Sequence, residues 1–333
     1  MIANRESTLE IKELKKGDIH LHLSGAIPST QVYNALVNSG IELPDNFRID
    51  THLQIQKSCD SLSEYLKPWQ LLRLLPKDRN TLLDLIDHTF KSLAESNIKF
   101  VEVRHTLIHL ANLCKISLVE AMLWMIEGIT ENGVKHDIKA GLILTISRGE
   151  FSAKHLTLLL EAYETLGFPT NVIGLDLAGH EDIESPENLA PLFRKAKEKY
   201  GLNITIHAGE TGRTDRIYDA INDFSADRIG HGIASIRDAM LLNTLRSHDI
   251  CLELCPLSNR FTHPLERKAT SAFDILLEHE VPFVICSDNP GIQNSSLNDD
   301  YKIFLEVTNR PDILESMFAQ QKKYSFFREK TWK

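Results

Sequence analysis

The sequence has 333 residues, of which 37 are Lys or Arg and 46 are Asp or Glu, so its formal net charge at pH 7 is −9. This length fits one large domain or two small ones, and the 42% share of hydrophobic residues is enough for a sizeable core. The negative charge argues against general nucleic-acid binding, which depends on Lys and Arg contacts to phosphates. No apolar run approaches the roughly 20 residues that span a membrane.

Residues 1–18 are polar and charged, so we expect no secretory signal there. The five cysteines form neither an even disulfide framework nor a CxxC metal pair; they are Cys59, Cys114, Cys251, Cys255 and Cys286. This usage predicts reduced thiols in a cytoplasmic protein.

Short apolar segments alternate with longer amphipathic segments along the chain. The segments predicted to be strands are residues 18–23, 98–104, 138–146, 172–177, 203–207, 228–230, 250–255 and 282–286. Most stretches between them read as helices; examples are residues 118–131, 155–166 and 187–200. Gly201 suits the end of the last of these.

Eight strand–helix units in succession predict a (β/α)8 TIM barrel in a single domain, residues 1–333. The alternative is an open, doubly wound parallel sheet. No GxGxxG sequence joins the first predicted strand to a helix, so dinucleotide binding has no support.

Residues 28–97 form a connection of about 70 residues after the first predicted strand, which is too long for one helix. Helix-like runs and aromatic residues such as Tyr65 and Trp69 predict a helical insertion that lies over the barrel mouth as a lid. The alternative is that the segment only packs against the barrel. The C-terminal segment, residues 317–333, is rich in aromatic residues. It forms either a docked final helix or part of an oligomer interface, and the oligomeric state is left open.

Two histidines, His20 and His22, lie in the first predicted strand. Alternate residues of a strand point the same way, so both imidazoles share one face while Ile19 and Leu21 take the other. The outer face of a barrel strand packs under helices and is apolar, which places the histidines inside at the carboxyl end, where barrel active sites lie. Two imidazoles on one face can chelate a metal, although such a pair alone is weak evidence.

His207 ends the fifth predicted strand, and Gly209 lets the chain turn so that Glu210 lies over the mouth. His231 follows the sixth strand between two glycines, and Asp288 follows the eighth. Each residue alone also fits ordinary turn chemistry. A closed barrel, however, brings these strand ends together, and imidazoles with a carboxylate suit Zn²⁺ while a remaining His and Glu suit acid–base work.

These residues resemble the adenosine deaminase family of metal-dependent hydrolases. The segments that carry the resemblance are DIHLHLSG, FVEVR, VIGLDLAGHE, HAGET, RIGHG, LCPLSN and SDNP. Their order and spacing match the family over nearly the whole chain, from residue 18 to residue 298, and the combination of HxH, HAGE, GHG and SDN is highly specific.

The resemblance implies one Zn²⁺ per chain and a water molecule that completes its coordination. The implied ligands are His20, His22, His207 and Asp288. The family's mechanism implies that Glu210 donates a proton to purine N1, that His231 orients the water, and that Asp288 also accepts a hydrogen bond from this water. Gly179 is implied to offer its backbone N–H to purine N3.

Two positions depart from the family pattern. Ser24 stands where many members carry Asp or Glu, an acid that accepts a hydrogen bond from the ribose 5′-hydroxyl. Serine accepts such a bond without charge assistance, and it also makes room for a modified 5′ group. Asn289 stands where many members carry a second Asp that contacts purine N7, and an amide donor is compatible with this contact.

The leading hypothesis is zinc-dependent deamination of a 6-aminopurine nucleoside, with adenosine as the substrate. The alternatives within the family are a 5′-modified adenosine such as aminodeoxyfutalosine, and free adenine. A non-purine amide or ester is a third possibility. The alternative from another functional class, that of binding proteins, is a non-catalytic protein that binds nucleosides or a partner protein.

Overall fold

Eight parallel strands, hydrogen-bonded to one another in chain order, form the centre of the structure, a computed structural model that describes residues 10–262 and 272–327. Their sequences are short runs rich in Ile, Val and Leu, as expected for strands covered on both faces. The strands are β1 (Lys16–His22), β2 (Ile98–His105), β3 (Lys139–Ser147), β4 (Val172–Ala178), β5 (Asn203–Ala208), β6 (Arg228–His231), β7 (Cys251–Leu254) and β8 (Phe283–Ile285).

The chain just after β8 meets β1 and brings the two ends of the sheet together. The backbone N–H of His22 donates to the carbonyl of Asp288 at 2.9 Å, and the N–H of Asp288 donates to the carbonyl of His20 at 2.9 Å. With the helices that surround this sheet, the architecture is the predicted (β/α)8 TIM barrel. All eight predicted strands are present, and their bounds agree within two residues.

Sixteen α-helical segments lie in the described ranges. They are α1 (Leu23–Ala26), α2 (Ser29–Asn38), α3 (Ile49–His52), α4 (Leu62–Tyr65), α5 (Trp69–Leu72), α6 (Arg79–Glu95), α7 (Leu107–Cys114), α8 (Leu118–His136), α9 (Ser152–Thr165), α10 (Leu189–Tyr200), α11 (Thr214–Asn222), α12 (Ala239–Ser247), α13 (Pro256–Thr262), α14 (Ala272–Glu278), α15 (Leu297–Thr308) and α16 (Pro311–Tyr324). Gly201 ends α10 in the left-handed conformation, with φ of 65°, as its sequence position predicts.

Helices α2–α6 occupy the connection from residue 28 to residue 97. This connection has a second hydrophobic cluster, which includes Leu36, Tyr65, Leu72 and Leu85 and reaches Ile292 beyond β8. The last and longest, α6, packs along the barrel against α8 and β2. The connection is therefore helical throughout much of its length, and its movement as a lid stays a prediction.

The aromatic C-terminal segment docks on the barrel as far as the structure describes it. Helix α16 packs against β1 and β8. Beyond it, Phe326 and Phe327 are buried, and the guanidinium of Arg228 lies 3.4 Å from the centre of the Phe326 ring. The segment therefore packs on the barrel as far as residue 327, and its part in an oligomer interface stays a prediction; Trp332 lies outside the described residues.

The lower interior of the barrel holds a network of buried charges. Arg228 donates to Glu253 at 2.6 Å and to Glu102 at 2.7 Å, and Arg104 donates to Glu253 at 2.9 Å. All four side chains are fully buried, and buried charges are tolerated only when they are paired and hydrogen-bonded. Each of these buried charges therefore has a partner of opposite sign inside the barrel.

All five cysteines are free thiols. In the described part of the chain, no single helix is both long and apolar enough to cross a membrane, and one bent pair, Leu107–Cys114 with Leu118–His136, meets the length and composition criteria only when taken together.

Candidate active site

Three barrel strands and the turn after β8 bring the predicted site residues together. His20 and His22 lie on β1, His207 lies on β5, and His231 is the last residue of β6. Asp288 lies three residues beyond β8. Because parallel barrel strands end at one rim, residues distant in sequence become neighbours there.

Four of these side chains, the histidine–aspartate cluster, face one another. The cluster consists of His20, His22, His207 and Asp288. The Nε2 atoms of His22 and His207 are 3.0 Å apart. Asp288 Oδ1 lies 3.5 Å from His20 Nε2 and 3.4 Å from His22 Nε2. Potential ligand atoms of His20, His207, His231 and Asp288 also all lie within 4.8 Å of one another.

Two buried carboxylates orient two of the three imidazoles of this cluster. Glu253 lies 2.7 Å from His20 Nδ1, and Asp176 lies 2.8 Å from His207 Nδ1. Because an ionised carboxylate only accepts, each Nδ1 carries the proton and each Nε2 presents a lone pair to the cluster. Burial lowers the pKa of His207 to about 4, which keeps its imidazole neutral.

These features fit a metal ion. His20 Nε2 is buried and has no hydrogen-bond partner among the described residues, although it points toward Asp288 and the other imidazoles. A buried nitrogen lone pair without a donor is costly in a protein alone. A cation satisfies it, and a set of three imidazoles and one carboxylate suits Zn²⁺.

Asp288 and His231 both adopt the left-handed backbone conformation, with φ of 60° and 62°. For residues other than glycine this costs roughly 1–3 kcal/mol and is concentrated at functional sites. Ser258 donates a hydrogen bond of 2.6 Å to Asp288 Oδ2, so the second carboxylate oxygen is satisfied while Oδ1 faces the histidines.

Glu210 stands beside the cluster on the turn that follows β5. Its Oε2 lies 3.7 Å from His231 Nε2. Gly209 makes the turn with φ of 76°, and a side chain there would meet Ile217 at 2.6 Å, so this position needs glycine. Burial raises the pKa of Glu210, and the negative charges of Asp288 and Glu181 raise it further. The carboxyl can therefore retain a proton closer to neutral pH than an exposed glutamate.

A cavity of about 400 Å³ opens above these groups, a size typical of small-molecule sites. Ser24, Gly179 and Asn289, the three predicted substrate contacts, all line it. Gly179 has φ of 99°, a backbone conformation that favours glycine. The same cavity is also lined by residues of the connection between β1 and β2, namely Leu62, Tyr65, Leu66, Trp69 and Arg73.

Asn289 is held by the insertion rather than left free. Its Nδ2 donates to the hydroxyl of Tyr65 at 3.2 Å, and Gln293 donates to the same hydroxyl at 2.8 Å. The predicted contact between Asn289 and a purine nitrogen stays a prediction. Tyr65 thus links the insertion to the strand end that carries Asp288.

Sequence reasoning missed the supporting carboxylates Asp176, Glu181 and Glu253. Each lies in or just after an apolar strand, in VIGLDLAGHE or ICLELC. A charged residue in a buried strand must find a partner inside the barrel, and this signal could have identified them. Tyr65 carried no comparable signal, because its partner Asn289 lies 224 positions away in the sequence.

A protein-family model described as adenosine deaminase matches residues 15–325. An adenosine deaminase from Clostridium botulinum (strain 657 / Type Ba4) is 29% identical over 306 residues, which cover 91% of this chain and 89% of the relative. The apo structure of the N6-methyl-AMP deaminase from Arabidopsis thaliana is 25% identical with a TM-score of 0.78 and covers 95% of this chain and 93% of its own. Arabidopsis ADAL complexed with IMP is 26% identical with a TM-score of 0.80, and the coverages are 96% and 94%.

Proposed function

Because the chain belongs to the adenosine deaminase family of the amidohydrolase superfamily and is a hydrolytic deaminase, we propose that it removes the 6-amino group of a purine nucleoside, converting adenosine and water to inosine and ammonia. The observation that carries this proposal is the placement of Glu210, His231 and the histidine–aspartate cluster around one cavity. Hydrolysis of an amidine carbon–nitrogen bond requires a proton donor and a metal site close to each other in one cavity.

The family is metal-dependent, and we assign one zinc ion per chain to the histidine–aspartate cluster. When bound, the metal acts as a Lewis acid and lowers the pKa of water, so that a nucleophile is available at neutral pH. Glu253 and Asp176 hold two of the imidazoles in the tautomer that directs Nε2 at the cluster. The protein thereby fixes the ligands before the ion arrives.

The purine is oriented by groups on two neighbouring strand ends. Glu210, in its protonated form, donates its proton to N1, and the backbone N–H of Gly179 donates to N3. Protonation of N1 draws electrons from C6, so that C6 accepts the oxygen of water while the ring nitrogen takes the electron pair. The water gives up both of its protons: one passes through His231 to the amino group, which leaves as ammonia, and the other returns to Glu210. The ring keeps the proton at N1 and becomes a neutral 6-oxopurine.

His231 lies where it can hold the attacking water. Its Nε2 is 3.7 Å from Glu210, and its ring centre is 5.3 Å from that of His207. Asn259 Nδ2 lies 3.5 Å from Nδ1 on the other edge of the ring. The imidazole therefore faces the reacting centre with Nε2, where it orients the water and stabilises the charge that develops on its oxygen.

A substrate panel tests the proposal. Purified protein loaded with zinc is incubated with adenosine, 2′-deoxyadenosine, several 5′-modified adenosines, adenine and cytidine, and ammonia and product are quantified. We expect turnover of both purine nucleosides, little turnover of adenine because the ribose contacts are lost, and none of cytidine. Absence of ammonia from every aminopurine and 5′-modified nucleoside, while one metal ion per chain is bound, would contradict the proposal.

A second candidate substrate is an adenosine whose 5′ position carries an anionic group, such as a nucleoside 5′-monophosphate. Ser24 leaves this part of the cavity without the carboxylate that repels an anion. The described lining residues include only two carboxylates, Glu210 and Asp288, and both belong to the reacting centre. Arg73 is an exposed cation on the lining, and His109 lies beside it and contacts its backbone carbonyl at 2.7 Å. Two of the related structures also concern nucleoside monophosphates.

Substitution of Ser24 by Asp separates the two candidates. If the substrate is a 5′-monophosphate, Ser24→Asp is expected to lower kcat/KM for AMP by about tenfold or more, because two unit charges 4 Å apart repel by about 1 kcal/mol even in water and a phosphate carries nearly two. The value for adenosine is expected to stay constant or rise, because the carboxylate accepts a hydrogen bond from the 5′-hydroxyl.

Arg73→Ala is expected to lower kcat/KM for AMP alone. The matched control is Lys67→Ala, which removes an exposed cation of the same insertion that does not line the cavity. Equal effects of Ser24→Asp on AMP and adenosine, or no turnover of AMP by the unsubstituted protein, would contradict this second candidate.

A further inference from the structure

Glu181 is a buried carboxylate that the reaction above does not use. It lies three residues beyond β4 and two residues after Gly179, and its side chain is fully buried. Its carboxylate accepts hydrogen bonds from three successive backbone N–H groups: Gly209 at 2.9 Å, Glu210 at 2.6 Å and Thr211 at 3.0 Å. All three hydrogen bonds of this buried side chain therefore fix the backbone of one turn.

The three N–H groups belong to the turn that carries the proton donor. A turn with a glycine at positive φ directs successive N–H groups toward one point and forms a small anion-binding concavity. Here the anion is a side chain of the same protein. Hydrogen bonds to an ionised carboxylate are short and about twice as strong as neutral ones, so three of them offset much of the cost of burying the charge.

Neighbouring acidic residues of the same loop are placed quite differently. Asp182 and Glu184 pair with Arg213 and Arg216, and the two acidic side chains are 62% and 77% exposed. Exposed pairs of this kind contribute little to fixing a backbone. Glu181 is therefore the buried connection between the loop after β4 and the turn after β5.

We propose that Glu181 is a positioning residue: it holds the backbone of Gly209, Glu210 and Thr211, and thereby sets the position of the Glu210 carboxyl over the cavity. This inference depends on the proposed function for its kinetic part, because Glu210 is the proton donor there. One short segment thus supplies both the wall of the purine site, through Gly179, and the support of its proton donor, through Glu181.

The inference predicts that Glu181 acts only through Glu210. In Glu181→Gln the amide retains an accepting oxygen, but its NH₂ group faces a backbone donor, so at least one of the three bonds is lost. We expect kcat to fall by about 10²-fold, the effect of a displacement on the order of 1 Å in a catalytic group. Bound zinc is expected to stay at one ion per chain, because the histidine–aspartate cluster is not altered.

A double-mutant cycle distinguishes positioning from general damage. In a Glu210→Gln background, Glu181→Gln is expected to lower kcat by less than twofold, because the group it positions is already gone. The matched control is Glu184→Gln, an exposed acid of the same loop, which is expected to leave kcat unchanged. The conservative variant Glu181→Asp keeps the charge and is expected to lie between the unsubstituted protein and Glu181→Gln.

Hydrogen–deuterium exchange gives a readout that needs no activity. In Glu181→Gln the amides of residues 209–211 are expected to exchange faster, while those of β5 remain protected. If the unsubstituted protein deaminates no purine, the proposed function fails and the exchange result still decides the structural part of the inference. Unchanged exchange and unchanged kcat in Glu181→Gln, or an equal loss of kcat in both backgrounds, would overturn it. If Glu181→Gln does not fold, Glu181→Asp is carried through the same cycle and exchange measurement.

Discussion

Replacement of Glu210 by Gln is expected to lower kcat for adenosine by a factor of about 10²–10⁴, the usual contribution of a general acid. Glutamine has nearly the same size and still offers a hydrogen bond to N1, but it cannot transfer a proton. Burial and nearby negative charges raise the pKa of Glu210, which favours its protonated form. The substitution removes this proton donor. Steady-state kinetics of ammonia release measures the effect.

The control for this substitution is Glu161→Gln, which changes an exposed glutamate of α9 that does not line the cavity and is expected to leave kcat unaltered. Zinc content and the midpoint of thermal unfolding are measured for both variants, and both are expected to match the unsubstituted protein. Full activity of the Glu210→Gln variant would remove this residue from the chemistry.

Replacement of His20 by Ala is expected to abolish stoichiometric zinc binding together with activity. His20 presents a buried, unpaired Nε2 to the histidine–aspartate cluster, and its loss removes one ligand. The effect on zinc affinity is expected to exceed the 10–100-fold that the loss of an outer partner of a ligand typically costs. Glu253 keeps hydrogen bonds from Arg104, Thr205 and Arg228, so the substitution does not leave it without partners.

Two measurements check this expectation. Elemental analysis after dialysis gives the zinc bound per chain, and thermal unfolding with and without added zinc gives a readout independent of activity. Because a ligand that binds the folded state stabilises it, zinc is expected to raise the midpoint of the unsubstituted protein but not of His20→Ala. His248→Ala, at an exposed histidine after α12, is expected to behave like the unsubstituted protein. One tightly bound zinc ion in His20→Ala would contradict the ligand assignment.

The barrel could be predicted from the sequence because its strands are buried on both faces. Segments such as residues 138–146 and 282–286 are apolar runs between amphipathic stretches, and β3 and β8 lie there within one residue at each end. The polar residues that interrupt this pattern at the carboxyl ends, among them His20 and Asp288, are the ones that the fold brings together. Local pattern and global topology agree at these positions.

The groups that support the site could not be placed from the sequence. Glu253 contacts His20 across 233 positions, and Tyr65 contacts Asn289 across 224. Such pairs depend on the order and stagger of the strands and on how the insertion folds back over the barrel. A single sequence contains the residue types but not these distances, and the network of Glu102, Arg104 and Arg228 beneath the site was missed for the same reason.

The connection between β1 and β2 packs on two different parts of the barrel. Its aromatic residues Tyr65 and Trp69 line the cavity. Its last helix, α6, instead packs beside β2 on the outside of the barrel. Amphipathic periodicity predicts that such a helix buries one face, but it does not state which surface covers that face.

The most direct test of the proposed deamination is the stoichiometry of its products. Adenosine is incubated with the zinc-loaded protein, and inosine and ammonia are measured in the same samples over time. The proposal predicts equal amounts of both, formed at a rate that Glu210→Gln lowers by at least about 10²-fold. Formation of adenine and ribose without ammonia, or equal rates in the two proteins, would contradict it.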